Sequence, residues 1–418
     1  MGEQDITLSY FRLPDFLDRF MGKYPEYTGS YLMIQEPKLI IEVLNKKYVG
    51  VYMGQINYDE LLKYSVKLVE DNLKTVFSKL REEASSVSPL TYDIIEIASD
   101  YTLRGGKRLR AFLALVGYWS REWGSGDLAT ITNVMSGIEL LQSYLLIHDD
   151  VMDRDELRRG GPTVHAWFRD KCLKEMKGDC VHYGDSQAIT VGDYLEATAV
   201  EYISRANLPG ETLRRLLETY SRGLRMVAYG QYLDVLLSNK PLGNVSERDV
   251  LLVHTLKTAS YTIELPLHLG VIASGKYSEK ILRELTSYAI PAGIAFQLRD
   301  DIIGLYGDPR QTGKPVGSDV RGKKKTLLVV KAYELGDHEV RRRLSEIYDV
   351  LRTNEVTQEH VKFIQEIVRE TGSLEYNEEL IKKHVENALK ALEESKEISA
   401  QAVNILKWLL EKLAYREK

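Results

Sequence analysis

From Tyr58 onward, apolar positions recur at helical spacing. Leu61, Leu62, Tyr64, Val66, Leu68, Val69, Leu73, Val76, Phe77 and Leu80 follow a period of roughly 3.6 residues, with Asp, Glu and Lys between them. The same pattern predicts helices over about 91–100, 107–122, 127–152, 186–206, 211–239, 247–273, 278–307, 325–334, 337–352, 357–371 and 375–416. Breaks fall at Gly105-Gly106, Gly160-Gly161-Pro162, Pro209-Gly210, Pro241 to Gly243, and a Gly/Pro-rich loop from Gly307 to Gly317. Several helices are apolar on more than one face, as buried central helices are. Strand and helix never alternate, which disfavours a doubly wound sheet. The expected fold is all-α, a large helical bundle with its site at the core.

Residues 1–56 read differently. Short apolar runs there are broken by Pro37, Asn45, Gly50 and Gly54, consistent with strands or a small irregular module. The expected division is a small N-terminal extension, 1–56, and a main domain, 57–418.

Composition narrows the function classes. The 418 residues are 44% apolar, enough for a substantial core. The net charge of −5 gives no global signal for nucleic acid. No apolar run approaches the length of about 20 residues that a membrane span needs. The acidic start, MGEQDITLSY, lacks a signal-peptide core, and Ile6 breaks the acylation pattern that Gly2 would open. Cys172 and Cys180 fit no zinc spacing and read as two ordinary thiols, which makes a reducing cytoplasm the expected location.

Two aspartate clusters carry the chemistry. The first is Asp149, Asp150 and Asp153, in HDDVMDRDELRRGGPTVH. Asp149 and Asp153 are one helical turn apart and share a face. They sit at a helix C-terminus, whose partial negative charge disfavours unpaired carboxylates. The second is Asp300 and Asp301, in FQLRDDIIGLYGD, with Gly304 one turn after Asp300. Carboxylates in apolar surroundings need counter-ions. Two clusters with open positions for phosphate suit Mg²⁺. Cations lie close by: Arg158 and Arg159 after the first cluster, and Lys314, Lys323, Lys324 and Lys325 after the second. Guanidinium groups match phosphate in bidentate fashion.

Three further segments place polar groups where burial is expected. Gly105-Gly106-Lys107-Arg108-Leu109-Arg110 puts glycines and three cations at a predicted helix start, where an anion would offset the macrodipole. Lys257-Thr258 interrupts an apolar run and needs a partner. Gln231 and Asp234, in GQYLD, pose the same problem.

In order along the chain, GGKRLR, DDVMD with RRGGPTVH, GQYLD, KTASYT, and FQLRDDIIG with TGKPVGSD resemble the trans-isoprenyl diphosphate synthases, from about Tyr58 to Lys418. The resemblance implies an isoprenoid-synthase-type bundle around a deep central cavity, as a homodimer. It implies a head-to-tail prenyltransferase that joins isopentenyl diphosphate to allylic diphosphates. Asp149, Asp153 and Asp300 stand at the family's metal ligands, with Asp150 and Asp301 in support and about three Mg²⁺ ions per site when diphosphate is bound. Arg158, Lys257, Lys314 and Lys324 match contacts to the allylic diphosphate, and Gln231 and Asp234 match polar residues near it. Gly106, Lys107, Arg110, Gln142 and Arg159 match the isopentenyl diphosphate pocket. Thr258, Tyr261, Gln297 and Phe296 match groups lining the reacting centre. The chain departs from the family pattern at Gly304, where a third aspartate is usual, and at Gln142, where many members have His.

Such a reaction needs no covalent catalyst. Metal ions, Lys and Arg offset the charge of a departing diphosphate, and a dry apolar wall protects the allylic cation. The absence of a Ser-His-Asp or Cys-His arrangement agrees with this, and the eight His show no metal-ligand spacing. Tyr144 lies five residues before Asp149, roughly 7–8 Å along the helix axis. Together with Leu145 it is expected to floor the cavity and set chain length. The resemblance implies that a bulky residue at the Tyr144 position caps the tunnel, and one aromatic there with the short DDxxD spacing implies geranylgeranyl diphosphate, with farnesyl diphosphate or a mixture second. Two rival readings are a class I terpene cyclase, which usually lacks GGKRLR and FQLRDD, and a non-catalytic partner subunit of a heteromeric synthase.

Overall fold

The computed structural model describes residues 57–307 and 317–416. The strands expected within 1–56, and Lys314, lie outside the described residues. The described residues are almost entirely helical. In chain order they form α1 Tyr58–Val87, α2 Tyr92–Leu103, α3 Leu109–Tyr118, α4 Leu128–Asp153, α5 Val164–Glu175, α6 Cys180–Ser204 and α7 Gly210–Ser238. There follow α8 Glu247–Val253, a π-helical stretch His254–Glu264, α9 Leu265–Ala273, α10 Glu279–Tyr306, α11 Ser318–Arg321, α12 Leu327–Leu335 and α13 His338–Ser345. The last three helices are α14 Gln358–Glu370, α15 Ser373–Glu393 and α16 Ala400–Ala414. Among the described residues the only strands are the two-residue β1 Leu157–Arg158 and β2 Gly161–Pro162, antiparallel, with Leu157 opposite Pro162.

Helix α4 is the spine. It packs against α6 most extensively, and also against α1, α3 and α9. That surround explains why α4 is apolar on every side: Ile131, Val134, Met135, Ile138, Leu140, Leu141 and Ile147 are all buried. Asp127 caps its start, accepting from the backbone N–H groups of Ala129 (3.1 Å) and Thr130 (3.0 Å). Arg154, at φ 57°, ends it in the left-handed region, so the first aspartate cluster occupies the final turn and a half.

The segment 247–273 is one continuous rod, as its pattern predicts, but its middle is π-helical. π stretches are uncommon and concentrate at functional sites. Lys257, Thr258 and Tyr261 all lie on this stretch. Two glycines let neighbours close on it. A Cβ on Gly230 of α7 would stand 2.6 Å from the Lys257 backbone nitrogen, and one on Gly293 of α10 would stand 2.4 Å from the Ala259 Cα. Any side chain at either position would force the site apart.

Three expectations are corrected. Helix α5 was not anticipated, because the charges in VHAWFRDKCLKE blur its apolar period. The single helix expected over 375–416 is two, α15 and α16, with Ser399 capping the second by accepting from Ala402 N–H (3.4 Å). Cys172 and Cys180 are not two free thiols but a disulfide, with Cα atoms 5.4 Å apart. Helices α5 and α6 form a tight hairpin whose short connection brings the two positions together, a proximity invisible in the spacing alone.

Candidate active site

The final turn of α4 meets cations from two other segments. Lys257 Nζ lies 3.1 Å from Asp149 Oδ1 and 2.6 Å from Asp234 Oδ2 on α7. Lys324 Nζ lies 2.6 Å from Asp153 Oδ2. Asp149 and Asp153 thus share a face, as their spacing requires, and Lys257 and Asp234 answer each other's need for a partner. Gln231, one turn before Asp234, donates to Met152 Sδ at 3.3 Å. Burial alone would raise Asp149, but Lys257, Lys324 and Arg158 outweigh it and bring the carboxyl down to about 2. Burial pushes Asp153 up, with Lys324 pulling against it. Lys257 is raised: burial works against its charge, and Asp149 and Asp234 more than compensate.

These groups border a cavity of about 220 Å³ whose lining includes Asp149, Asp234, Lys257, Thr258, Gln297, Asp301, Asp319 and Lys324. Thr258 donates to Gln297 Oε1 (2.7 Å), and Gln297 donates to Asp301 Oδ1 (2.8 Å). Asp301 Oδ2 is buried without a hydrogen-bond partner, with His254 Nε2 3.3 Å away. Asp300 faces elsewhere. It pairs with Arg416, whose guanidinium lies 4.5 Å from the centre of the Phe296 ring.

Asp150 points away from Asp149 and is fully buried. Its Oδ2 accepts from the Tyr101 hydroxyl (2.6 Å), and its Oδ1 accepts from Arg158 Nε (2.6 Å). Arg158 also reaches Asp155 at 3.1 Å. Burial pushes the Asp150 carboxyl up, against Arg158 and Tyr101. Burial likewise works against the Arg158 charge, yet Asp150 raises that guanidinium overall. The Arg158 guanidinium and the Tyr101 hydroxyl are the contacts that favour the charged form of this carboxylate.

The GGKRLR segment divides its cations. Arg108, at φ 44°, turns inward and pairs with buried Glu139 at 3.0 Å. Lys107 stays near the surface, pushed down by burial and by Arg416 and Lys412. Arg416 is itself brought down to about 10 by burial and Arg299. Arg159 lies over Gly106, its Cζ 3.2 Å from where a Cβ would be, and donates to Gly105 O at 2.7 Å. Arg110 donates to Thr262 (2.6 Å) and lies 4.4 Å from the centre of the Tyr261 ring. The Tyr261 hydroxyl donates to Gln142 Oε1 at 2.7 Å. Crowded cations held below their ordinary range are a setting that an anion relieves.

Tyr144 and Leu145 are half-buried on α4. The Tyr144 ring meets His148 at 4.7 Å, and Gly192 of α6 leaves room beside it, since a Cβ there would stand 3.3 Å from Tyr144 Cδ2.

Reading by motif missed Tyr101, Glu139, His254 and Arg416. A lone Tyr, Glu, His or terminal Arg carries no pattern, and only the fold shows what each holds. Among the described residues no three carboxylates or imidazoles converge as a ready metal cluster. The donor chemistry nevertheless fits Mg²⁺. Asp149 and Asp301 offer hard oxygens from two helices to one cavity, and one of those oxygens is buried without a hydrogen bond. Among the described residues no helix is long and apolar enough to cross a membrane.

The polyprenyl synthetase family model matches residues 92–368. The chain is 33% identical to the geranylgeranyl diphosphate synthase of Saccharolobus solfataricus, covering 75% of this chain and 87% of that one. It is 34% identical to the geranylfarnesyl diphosphate synthase of Aeropyrum pernix, covering 79% and 96%. Among solved structures, a geranylgeranyl pyrophosphate synthase from Corynebacterium glutamicum, complexed with isoprenyl diphosphate and magnesium, matches with a TM-score of 0.78 and 30% identity, over 85% of this chain and 99% of that one. The chain belongs to the polyprenyl synthetase family. It is a prenyltransferase of the trans-isoprenyl diphosphate synthase class.

Proposed function

We propose that this chain carries out Mg²⁺-dependent, head-to-tail condensation of isopentenyl diphosphate with allylic diphosphates, with geranylgeranyl diphosphate as main product. Farnesyl diphosphate, alone or in a mixture, is the second reading of the product. The carrying observation is the alternation of charge at one cavity: Lys257 between Asp149 and Asp234, and Lys324 on Asp153.

Asp149 and Asp153, joined by Asp300 once it leaves Arg416, would hold the Mg²⁺, whose charge offsets that of a departing diphosphate. Lys257, Lys324 and Arg158, with Lys314, bind the allylic diphosphate. Asp234 keeps Lys257 charged and aimed, and Asp150 does the same for Arg158. Lys107, Arg110, Arg159 and the Gly106 backbone bind isopentenyl diphosphate, and Gln142 positions Tyr261 beside Arg110. Thr258, Gln297 and Phe296 line the reacting centre, where excluding water keeps the allylic cation from being quenched. Residues 57–418 form the catalytic domain, preceded by the extension 1–56. A homodimer and a cytoplasmic location complete the proposal. Exposed Ile189, Tyr229, Tyr232 and Leu236 give a second copy apolar surface to cover. The Cys172–Cys180 bridge is the observation that cuts against a strongly reducing compartment.

The test is product analysis. The purified chain is incubated with isopentenyl diphosphate, Mg²⁺ and, separately, dimethylallyl, geranyl and farnesyl diphosphates, and the dephosphorylated alcohols are chromatographed. Geranylgeraniol supports the proposal, and another chain length discards only the product. No alcohol from any starter, in a folded sample, moves the weight to the partner-subunit reading, which Gly304 in the second aspartate motif favours.

A further inference from the structure

The hairpin that carries Arg158 and Arg159 is too short to hold its own shape. Its ladder pairs Leu157–Arg158 with Gly161–Pro162, and Pro162 has no N–H to donate. Its turn places Arg159 at φ 51° and Gly160 at φ 75°, the left-handed region that disfavours an arginine. Other segments must therefore clamp it. The base is fixed by α5: Thr163 N–H donates to Glu156 O (3.0 Å), and Arg169 donates to both Glu156 carboxylate oxygens (2.6 and 2.7 Å). The tip is fixed by Arg104, directly after α2. Its Nη1 donates to Pro162 O (2.6 Å) and lies 3.4 Å from Arg158 O, so one nitrogen spans both strands. The guanidinium lies against Gly161, its Cζ 2.5 Å from where a Cβ would be, and the side chain is 11% exposed. Asp100, one turn earlier on α2, accepts from Nε (3.0 Å) and aims it.

The two arginines on the hairpin are not equally held. Arg158 has a carboxylate of its own, Asp150 on α4, with Nε at 2.6 Å. Arg159 has a backbone carbonyl instead, Gly105 O at 2.7 Å, and Gly105 follows Arg104 in the chain. We infer that Arg104 is a positioning residue for isopentenyl diphosphate: it fixes the hairpin tip against the GGKRLR loop and so sets where the Arg159 guanidinium stands over Gly106. The inference rests on the prenyltransferase reading and deepens it. Arg104 acts through another residue, since its own guanidinium is engaged by two carbonyls and Asp100. Without it the tip is freed while Asp150 keeps Arg158 in place, so the two substrates are affected unequally.

The test is steady-state kinetics of the full chain, each substrate varied at saturation of the other, with geranyl diphosphate as the allylic probe. Arg104→Met keeps an unbranched stem and removes the donors, and the exposed Asp100 loses a partner at little cost. The KM for isopentenyl diphosphate is expected to rise about 10–100-fold, the size of one charge-assisted hydrogen bond. The KM for geranyl diphosphate and kcat are expected to stay within about threefold of wild type. Because Arg104 acts through Arg159, Arg159→Ala/Arg104→Met is expected to lie within about threefold of Arg159→Ala alone in the KM for isopentenyl diphosphate. A general loosening of the fold would instead move both KM values and kcat, and its effect would multiply in the double variant. Where melting shows that Arg104→Met does not fold, Arg104→Lys takes its place: its shorter side chain cannot span both carbonyls, and the same split is expected. Equal rises in both KM values, an unchanged KM for isopentenyl diphosphate, or effects that multiply in the double variant would overturn the inference. A folded wild type that makes no product from any starter overturns the prenyltransferase reading itself, and the inference falls with it.

Discussion

Tyr101→Phe isolates one hydrogen bond at the first aspartate cluster. The ring is buried and keeps its packing in Phe, so the change removes a hydroxyl and little else. That hydroxyl is 2.6 Å from Asp150 Oδ2, while the Arg158 contacts fall on Oδ1. Without it, one oxygen of a fully buried carboxylate loses its donor. A hydrogen bond to a charged group contributes about 1.5–3 kcal/mol, and the burial here places the expected loss in that range. In an Asp150→Asn background the same change removes a neutral bond worth about 0.5–1.5 kcal/mol. The double-mutant cycle should therefore show a coupling of about 1 kcal/mol or more. The assay is chemical denaturation of all four proteins at one protein concentration. Because Asp150 also holds Arg158, the KM for the allylic diphosphate should rise in Tyr101→Phe more than kcat falls. A stability change below about 0.5 kcal/mol, or an equal cost in both backgrounds, would refute the reasoning, since surface-like substitutions give changes of that size.

Other expectations follow from single observations. Tyr144→Ala should lengthen the product chromatographed as its alcohol, because the ring beside His148 then no longer floors the cavity; unchanged product length removes Tyr144 from the account. Cys172→Ser should cost about 2–3 kcal/mol in denaturation, the entropy of closing so short a loop, with turnover retained; a wild type insensitive to dithiothreitol would contradict it. Burial, aided by Arg215 and Arg222, holds His268 below the ordinary imidazole range despite Glu264 and the Leu282 carbonyl. The unfolded chain therefore takes up a proton there first. The stability from neutral His268 is fully present above the unfolded value of 6.5 and is lost as pH falls through the folded one. The slope of stability against pH below 6.5 should flatten in His268→Gln, and an unchanged slope would reassign it.

The fold class was legible because helical periodicity runs along the chain and nothing alternates strand with helix. The helices that escaped notice are those whose apolar stripe is thin, α5 above all. Within the site, the readable positions carry a local pattern: Asp149 with Asp153 one turn apart, and Lys257 stranded in an apolar run. Their pairing could not be read. Lys257 lies 108 residues from Asp149 and 23 from Asp234, and only the fold brings the π-helical stretch, α7 and the end of α4 together. The Cys172–Cys180 bridge was hidden for the same reason, since eight residues of separation say nothing about a hairpin turn.

The second aspartate cluster shows how far a motif can mislead. Read as letters, a glycine at 304 is a lost ligand, and a lost ligand argues for a subunit without catalysis. Read as geometry, the same glycine is the position where no side chain intrudes on a carboxylate from a different segment. Asp319, the last residue of TGKPVGSD, lies 15 residues beyond Gly304, and the spacing alone does not show that the two positions meet. The backbone bond from Gly317 to Gly304 links loop to helix and makes the two positions neighbours. A carboxylate contributes to a cation site by where its oxygens stand, not by its register in a helix. Gly304 therefore does not strip that flank of acidic groups, because Asp319 Oδ2 stands 2.7 Å from where its Cβ would be.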